Sequence, residues 1–470
     1  MVRRRTFATL LAVLTVLALV ATACSDDDGG GDATIVDDDP SEGDDSGDSD
    51  EPEADDSEDP STDEAEDEVP EELPASAPGV TSTAVKVGIA VPDFELLAQY
   101  NVPNYHGSNE VAFPPFIDAI NEAGGIFGRM IEPVYVSYDF LDPATQDAAC
   151  VEFADDEEVF IVLYGMLAAN NLCLTELNDV MVITEGFQTA PFVEASDDTL
   201  WLSLNAGDDA IAGIMAGTLA EGGFLDGKTV GIIGSVDEPV DAVKAVLDDK
   251  DIPAIAVVTV AGSDDPTAFT AEIGLVAEQF RVGGVDFIID VVGAATATEG
   301  FIQAGFTPEM AFISLDATVG GISDTSIIDG ALSVSQAPDA SFWFDDPVFK
   351  EECIDPIVAA NPELADQFLV LPDGDAQAGG EPNWALPTLT ACNMTRLLKQ
   401  AGELAGAELT NETFAAALEE LGSIEILGYG QGSFRFSDGK WDLLDQFEVQ
   451  RYDDATGTIE VIGDPVVIDR

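Results

Sequence analysis

Positive charge is what this chain has least of. Of its 470 residues, 16 are lysine or arginine and one, His106, is histidine, against 92 aspartates and glutamates. A formal charge of −76 repels a phosphate backbone, so nucleic acid is excluded as a partner. One histidine cannot build a multi-histidine metal site, and His106 reads first as an exposed loop residue. The five cysteines include no CxxC pair, and no stretch follows the pattern of a calcium-binding loop. Acidic runs such as Asp26–Asp28 are therefore read as solvated, and neither a metal nor a cofactor is expected. P-loop, GxSxG and HExxH motifs are missing too, which leaves an extracellular hydrolase without a recognisable nucleophile and base. After residue 23 no apolar run reaches spanning length.

What is present begins with Arg3, Arg4 and Arg5, an apolar run from Leu10 to Val20, and the small residues Ala21, Thr22 and Ala23 ahead of Cys24. A basic start, a short apolar stretch and a small-residue cut site describe a secretory signal over 1–23. The ATAC sequence is similar to a bacterial lipobox, with Ala21 where leucine is usual. That likeness implies a diacylated Cys24 as the mature N-terminus, and two acyl chains suffice for stable anchoring. Ser25 to Pro74 then holds 25 acidic residues and no lysine or arginine. Residues 24–83 cannot bury enough surface to offset their ordering entropy, so a disordered acidic linker with a reach of roughly 40–45 Å is expected. Outside the leader and this linker the net charge is still near −54, which suits a saline setting where salt screens self-repulsion. Export also predicts oxidised thiols. With Cys24 set aside, proximity suggests Cys150 with Cys173 and Cys353 with Cys392, one of three possible pairings.

From Ala84 short β-branched runs alternate with helical ones. VKVGIAV (85–91), a helix near 111–123, MIEPVYVSY (130–138), FIVLYG (160–165) and VMVIT (180–184) form a first series. WLSLN (201–205) reads as a crossover, and the alternation restarts at 228–235, 254–261, 287–293, 310–316 and 331–336. The pattern predicts an α/β chain of two lobes, each a mainly parallel sheet covered on both faces. The stretch 432–462 carries the alternation of antiparallel strands, with SDG and ATG as turns.

Ile120-Asn121-Glu122-Ala123-Gly124-Gly125-Ile126-Phe127-Gly128-Arg129 closes the first helix, and Asp142-Pro143 precedes the next. Both resemble the opening of branched-chain amino-acid-type periplasmic binding proteins, the type I solute receptors of ABC importers, and the resemblance runs in order through residues 84–470. It implies two lobes joined by three crossovers, one from 84–204 plus 337–428 and the other from 205–336 plus 429–470. Ligand would be held between them, at the carboxyl ends of the strands.

Candidate contacts follow from those strand ends. Ala168, Ala169 and Asn170 occupy the loop where amino-acid receptors carry hydroxyls for the ligand carboxylate, so only Asn170 is polar there. Glu185 and Gln188 are polar candidates in the next loop, with Phe187 as an apolar cap. The resemblance places Asp316 where relatives pair an acid with the ligand ammonium, although an N-cap role competes. Phe94, Tyr100 and Tyr105 after the first strand, and Asp237 after GIIGS, complete the set. The expected protein performs no chemistry. It is a monomeric, lipid-anchored receptor on the outer face of the cytoplasmic membrane that captures a small polar molecule for a membrane permease. A sensor of the same fold, coupled to a signalling partner, is the competing reading.

Overall fold

The computed structural model describes residues 72–94, 107–139, 142–185, 190–196, 199–206, 210–235, 237–259, 266–292, 295–313, 315, 318–319, 322, 324–335, 346–368, 384–428, 434–436, 442 and 446–468. Cys24, Tyr100, Tyr105, His106, Phe187, Gln188 and Asp316 lie outside them. The chain divides into Met1–Val69 and Pro70–Arg470, and the fold below belongs to the second unit.

The first half alternates strands with helices, a short helix at Ala190–Ala195 preceding the last strand. Strand β1 (Ala84–Pro92), helix α1 (Pro114–Glu122), β2 (Met130–Tyr138), α2 (Pro143–Val151), β3 (Ile161–Tyr164), α3 (Leu172–Asn178), β4 (Met181–Thr184) and β5 (Trp201–Ser203) follow in order. The strands form one parallel sheet, β2-β1-β3-β4-β5. Trp201–Ser203, expected as crossover, is thus the sheet's fifth strand, and the crossover begins after it. An apolar run this short fits a buried strand or a linker equally well, and only its pairing with β4 decides.

Alternation of side chains explains why both faces are apolar. Val85, Val87, Ile89, Ile161, Leu163, Met181 and Ile183 point to one side, while Ala90, Val162 and Val182 point to the other with Cys150, Phe153 and Leu174.

The second half repeats the plan. After α4 (Ala210–Glu221) come β6 (Val230–Gly234), α5 (Asp237–Asp249), β7 (Ala254–Val258), α6 (Pro266–Gly283), β8 (Phe287–Asp290), α7 (Ala295–Gln303), β9 (Glu309–Phe312) and β10 (Leu332–Ser335). The chain then supplies α8 (Ala385–Ala405), α9 (Asn411–Leu421) and the small pair β11 (Ser423–Ile424) and β12 (Phe434–Arg435). It ends in β13 (Gln446–Asp453) and β14 (Thr458–Val467), which extend the second sheet antiparallel: β14-β13-β10-β9-β8-β6-β7. The ATG segment makes the last turn, where Asp453 Oδ1 accepts from Ala455 N at 2.8 Å and Gly457 sits at φ +70°. The SDG segment lies outside the described residues.

The AGG motif has a mechanical role. Asn121 brackets β2 through Nδ2 to Ile131 O (2.9 Å) and Oδ1 from Ile131 N (2.7 Å). Gly125 sits at φ +79°, and a Cβ there would fall 2.0 Å from Arg129 O, so only glycine fits. Arg129 is fully buried. Its Nε donates to Thr81 O (2.8 Å) and its Nη2 to Pro74 O (2.8 Å) and Ala407 O (2.7 Å), tying three distant segments together.

The cysteines join as Cys150–Cys173 and Cys353–Cys392, with Cα separations of 6.2 and 5.5 Å. Among the described residues no helix is long and apolar enough to cross a membrane.

Candidate functional site

Both sheets share one winding order. In the first, β1 lies between β2 and β3; in the second, β6 lies between β7 and β8. Chain direction of the connections reverses at β1/β3 and at β6/β8, and such switch points leave a crevice at the carboxyl ends of parallel strands.

At the first crevice β3 ends abruptly. Tyr164 takes φ +73° and Gly165 φ +68°, and a Cβ on Gly165 would meet Thr184 Cγ2 at 2.7 Å. A left-handed tyrosine is strained, and such strain persists only where surroundings impose it. Just beyond it the buried side chain of Asn171 holds the turn, accepting from Met166 N and donating to Met166 O, each at 2.7 Å.

Glu185 follows β4, the neighbouring strand. Part of its surface remains open, but its carboxyl sits deep among protein atoms, and desolvation pushes it up to about 7. The hydroxyls of Thr390 on α8 and Tyr164 oppose that shift by favouring the charged form. Burial also drives the Tyr164 phenol well above its ordinary value, so it stays a donor to the carboxyl. Thr390 Oγ1 is buried and forms no full hydrogen bond. Asn109, buried beside β1, donates to Ala90 O at 2.8 Å and keeps an unpartnered Oδ1.

The other predicted residues are placed less suggestively. Phe94 is half-buried just past β1. Ala168 and Ala169 begin a single turn of 3-10 helix, Ala168–Asn171, with Ala169 exposed. Asn170 spends its amide on Gln146, Nδ2 to Oε1 at 2.7 Å, bracing the turn against α2. Asp237 is exposed in the first turn of α5, where a negative charge suits the helix dipole. Glu185 is therefore the candidate that the fold surrounds with other polar side chains. Sequence reading missed Tyr164, Thr390 and Asn109, and also Asp290 at the end of β8. Asp290 is buried, and its Oδ1 accepts from Val292 N at 2.8 Å.

A groove of about 740 Å³ opens elsewhere, between α4, α5 and the end of β14. Gly213, Gly217, Ala242, Ala245 and Ile468 line it, and the ion pair of Lys250 with Glu221 spans its rim. It lies on helix faces and takes nothing from the carboxyl ends of either sheet's parallel strands. Among the described residues no cluster of metal-ligating side chains occurs.

No protein-family model matches this chain, and no curated protein sequence does. Solved structures do. An ABC transporter substrate-binding protein from Desulfitobacterium hafniense is 17% identical, with a TM-score of 0.54 over 81% of this chain and 100% of that one. A leucine-binding protein from Thermotoga maritima is 16% identical, with a TM-score of 0.51 over 82% and 99%. A solute-binding protein of an ABC transporter from Rhodopseudomonas palustris, in complex with 3,4-dihydroxybenzoic acid, is 12% identical, with a TM-score of 0.50 over 82% and 98%. Those neighbours are solute-binding proteins, not enzymes. At such identities the likeness establishes architecture: this chain has the two-sheet α/β fold of the type I periplasmic binding proteins.

Proposed function

We propose that the protein is an extracytoplasmic solute-binding lipoprotein of an ABC importer. It captures a small polar organic molecule between two lobes, 84–204 plus 337–428 and 205–336 plus 429–470, and delivers it to a membrane permease. The observation carrying this reading is the repeated winding order, which gives each sheet its own switch point at the carboxyl ends of its strands. Ligand would shift an open–closed balance already present in the free protein. A diacylated Cys24 holds the chain at the outer face of the cytoplasmic membrane, and the acidic segment through residue 83 spaces the receptor from the surface.

Thermal unfolding of the full chain against amino acids, amides, urea, amines, small carboxylates and aromatic acids tests the receptor role. A true ligand at a hundred times its Kd adds about 2.7 kcal/mol. Absence of any stabilising compound across these classes overturns the reading. Mass spectrometry of the membrane-extracted protein tests the anchor, which fails if Cys24 carries no acyl chains.

A further inference from the structure

The fold places one acidic side chain in a setting that a bare carboxylate would not occupy comfortably. Glu185 leaves β4 beside the strained exit of β3, where Tyr164 pairs with Thr184, and has the Tyr164 phenol and the buried, unpartnered Thr390 hydroxyl of α8 as polar neighbours. We propose that Glu185, with Tyr164 and Thr390 beside it, selects the ligand, and that the ligand presents a cationic amine or amidine to it. The proposal rests on the receptor reading above and names its ligand class.

Three observations lead there. First, the sequence holds no lysine or arginine between Arg129 and Lys228, a span that includes the exits of β2, β3, β4 and β5. The opening turns of α8 add none before Arg396. An anionic ligand would meet no opposite charge at this edge from any of these elements. Second, the turn after β3 offers Ala168 and Ala169, which carry no hydroxyl for a carboxylate, and the amide of Asn170 is committed to Gln146. Third, charge near −54 outside the leader and linker draws cations toward a cleft and repels anions.

Chemistry fits the geometry. A buried carboxyl without a cation takes up a proton instead of bearing its charge unpaired. A cationic ligand takes the place of that proton: the N⁺–H donates to Glu185, the carboxyl proton leaves to solvent, and Thr390 Oγ1 gains a polar neighbour. Tyr164 is the titratable group touching Glu185, and Tyr138 of β2 stands behind it. Burial holds both phenols protonated well past neutral pH.

Isothermal titration of the full chain with butylamine, putrescine, agmatine and L-leucinamide, set against pentanoate and 4-methylpentanoate, tests this from about pH 5.5 to about 8.5. At least one amine should bind, about tenfold more tightly per pH unit up to about 7 and evenly above it, with a proton released on binding below that point. Glu185→Gln should weaken that binding by roughly 30-fold or more and erase the pH slope. Glu185→Asp should restore the slope with weaker affinity, which separates loss of charge from loss of fold. Tyr164→Phe should move the break in the slope to higher pH, since it deletes a hydrogen bond to the charged form. Carboxylates binding in place of amines, more tightly as pH falls, would overturn the ligand class and leave the receptor standing. Undiminished amine binding in Glu185→Gln would overturn the role of Glu185. If every probe here is silent while the wider scan finds a ligand, the amine assignment alone falls; silence in both removes the receptor reading with it.

Discussion

Tyr164 and Asp290 end the corresponding strands of two sheets wound in the same order, and they leave those strands in different ways. Tyr164 turns through a left-handed conformation and directs its phenol to the carboxyl of another strand's exit. Asp290 folds its own carboxylate back on Val292 N and braces its turn. One exit holds a desolvated carboxyl; the other uses its carboxyl as a local brace. The same contrast runs through the covalent framework. Both disulfides belong to helices and turns around the first sheet, at Cys150, Cys173 and α8, while the elements packed on the second contain none. A half that carries strain and a desolvated acid is also the half that is cross-linked.

The largest effect should come from cutting those links. Loops of sequence separation 23 and 39 contribute about 3–4 kcal/mol each through restriction of the unfolded chain. Reduction should therefore lower hydrogen-exchange protection in β1–β4 before it touches β6–β10. Equal loss in both sheets would erase the asymmetry. Next in size is Arg129→Ala, which strips a buried guanidinium from three backbone carbonyls and should cost about 3 kcal/mol in denaturant unfolding. Arg129→Lys should recover little of it, because a single ammonium cannot span the same fork.

Glu185→Gln comes third, and its effect depends on pH. The folded-state value, raised to about 7, means that the neutral side chain supports the fold below the ordinary carboxyl range. That support is lost as pH climbs through 7. The variant should match the native protein near pH 4 and exceed it by up to about 3 kcal/mol near pH 8.5. A constant difference across pH would show that Glu185 titrates normally.

Much of this fold was readable from residues because its signals are local. Alternating apolar runs marked the strands, and Asn121 to Arg129 announced a turn that the structure builds from two glycine conformations and one buried arginine. The cysteine pairs followed from proximity. Trp201–Ser203 was misjudged because three apolar residues carry no period of their own. Glu185 could be nominated from its place after a strand, but its environment could not. Thr390 lies 205 positions away, on a helix whose side chains are mostly buried. The left-handed Tyr164 has no composition cue, since tyrosine is not a residue that favours positive φ. Local pattern thus reached the scaffold, whereas the polar set around Glu185 needed chain closure.

The smallest expected effect lies at the second exit and decides whether the two differ in kind. Asparagine at 290 keeps an oxygen for Val292 N, so Asp290→Asn should cost only about 1 kcal/mol, the difference between a charge-assisted and a neutral hydrogen bond. Ligand affinity should also be less sensitive to this change than to Glu185→Gln. If Asp290→Asn instead abolished amine binding while Glu185→Gln spared it, the acid that meets the ligand would sit on the second sheet, and Glu185 would be a brace like any other.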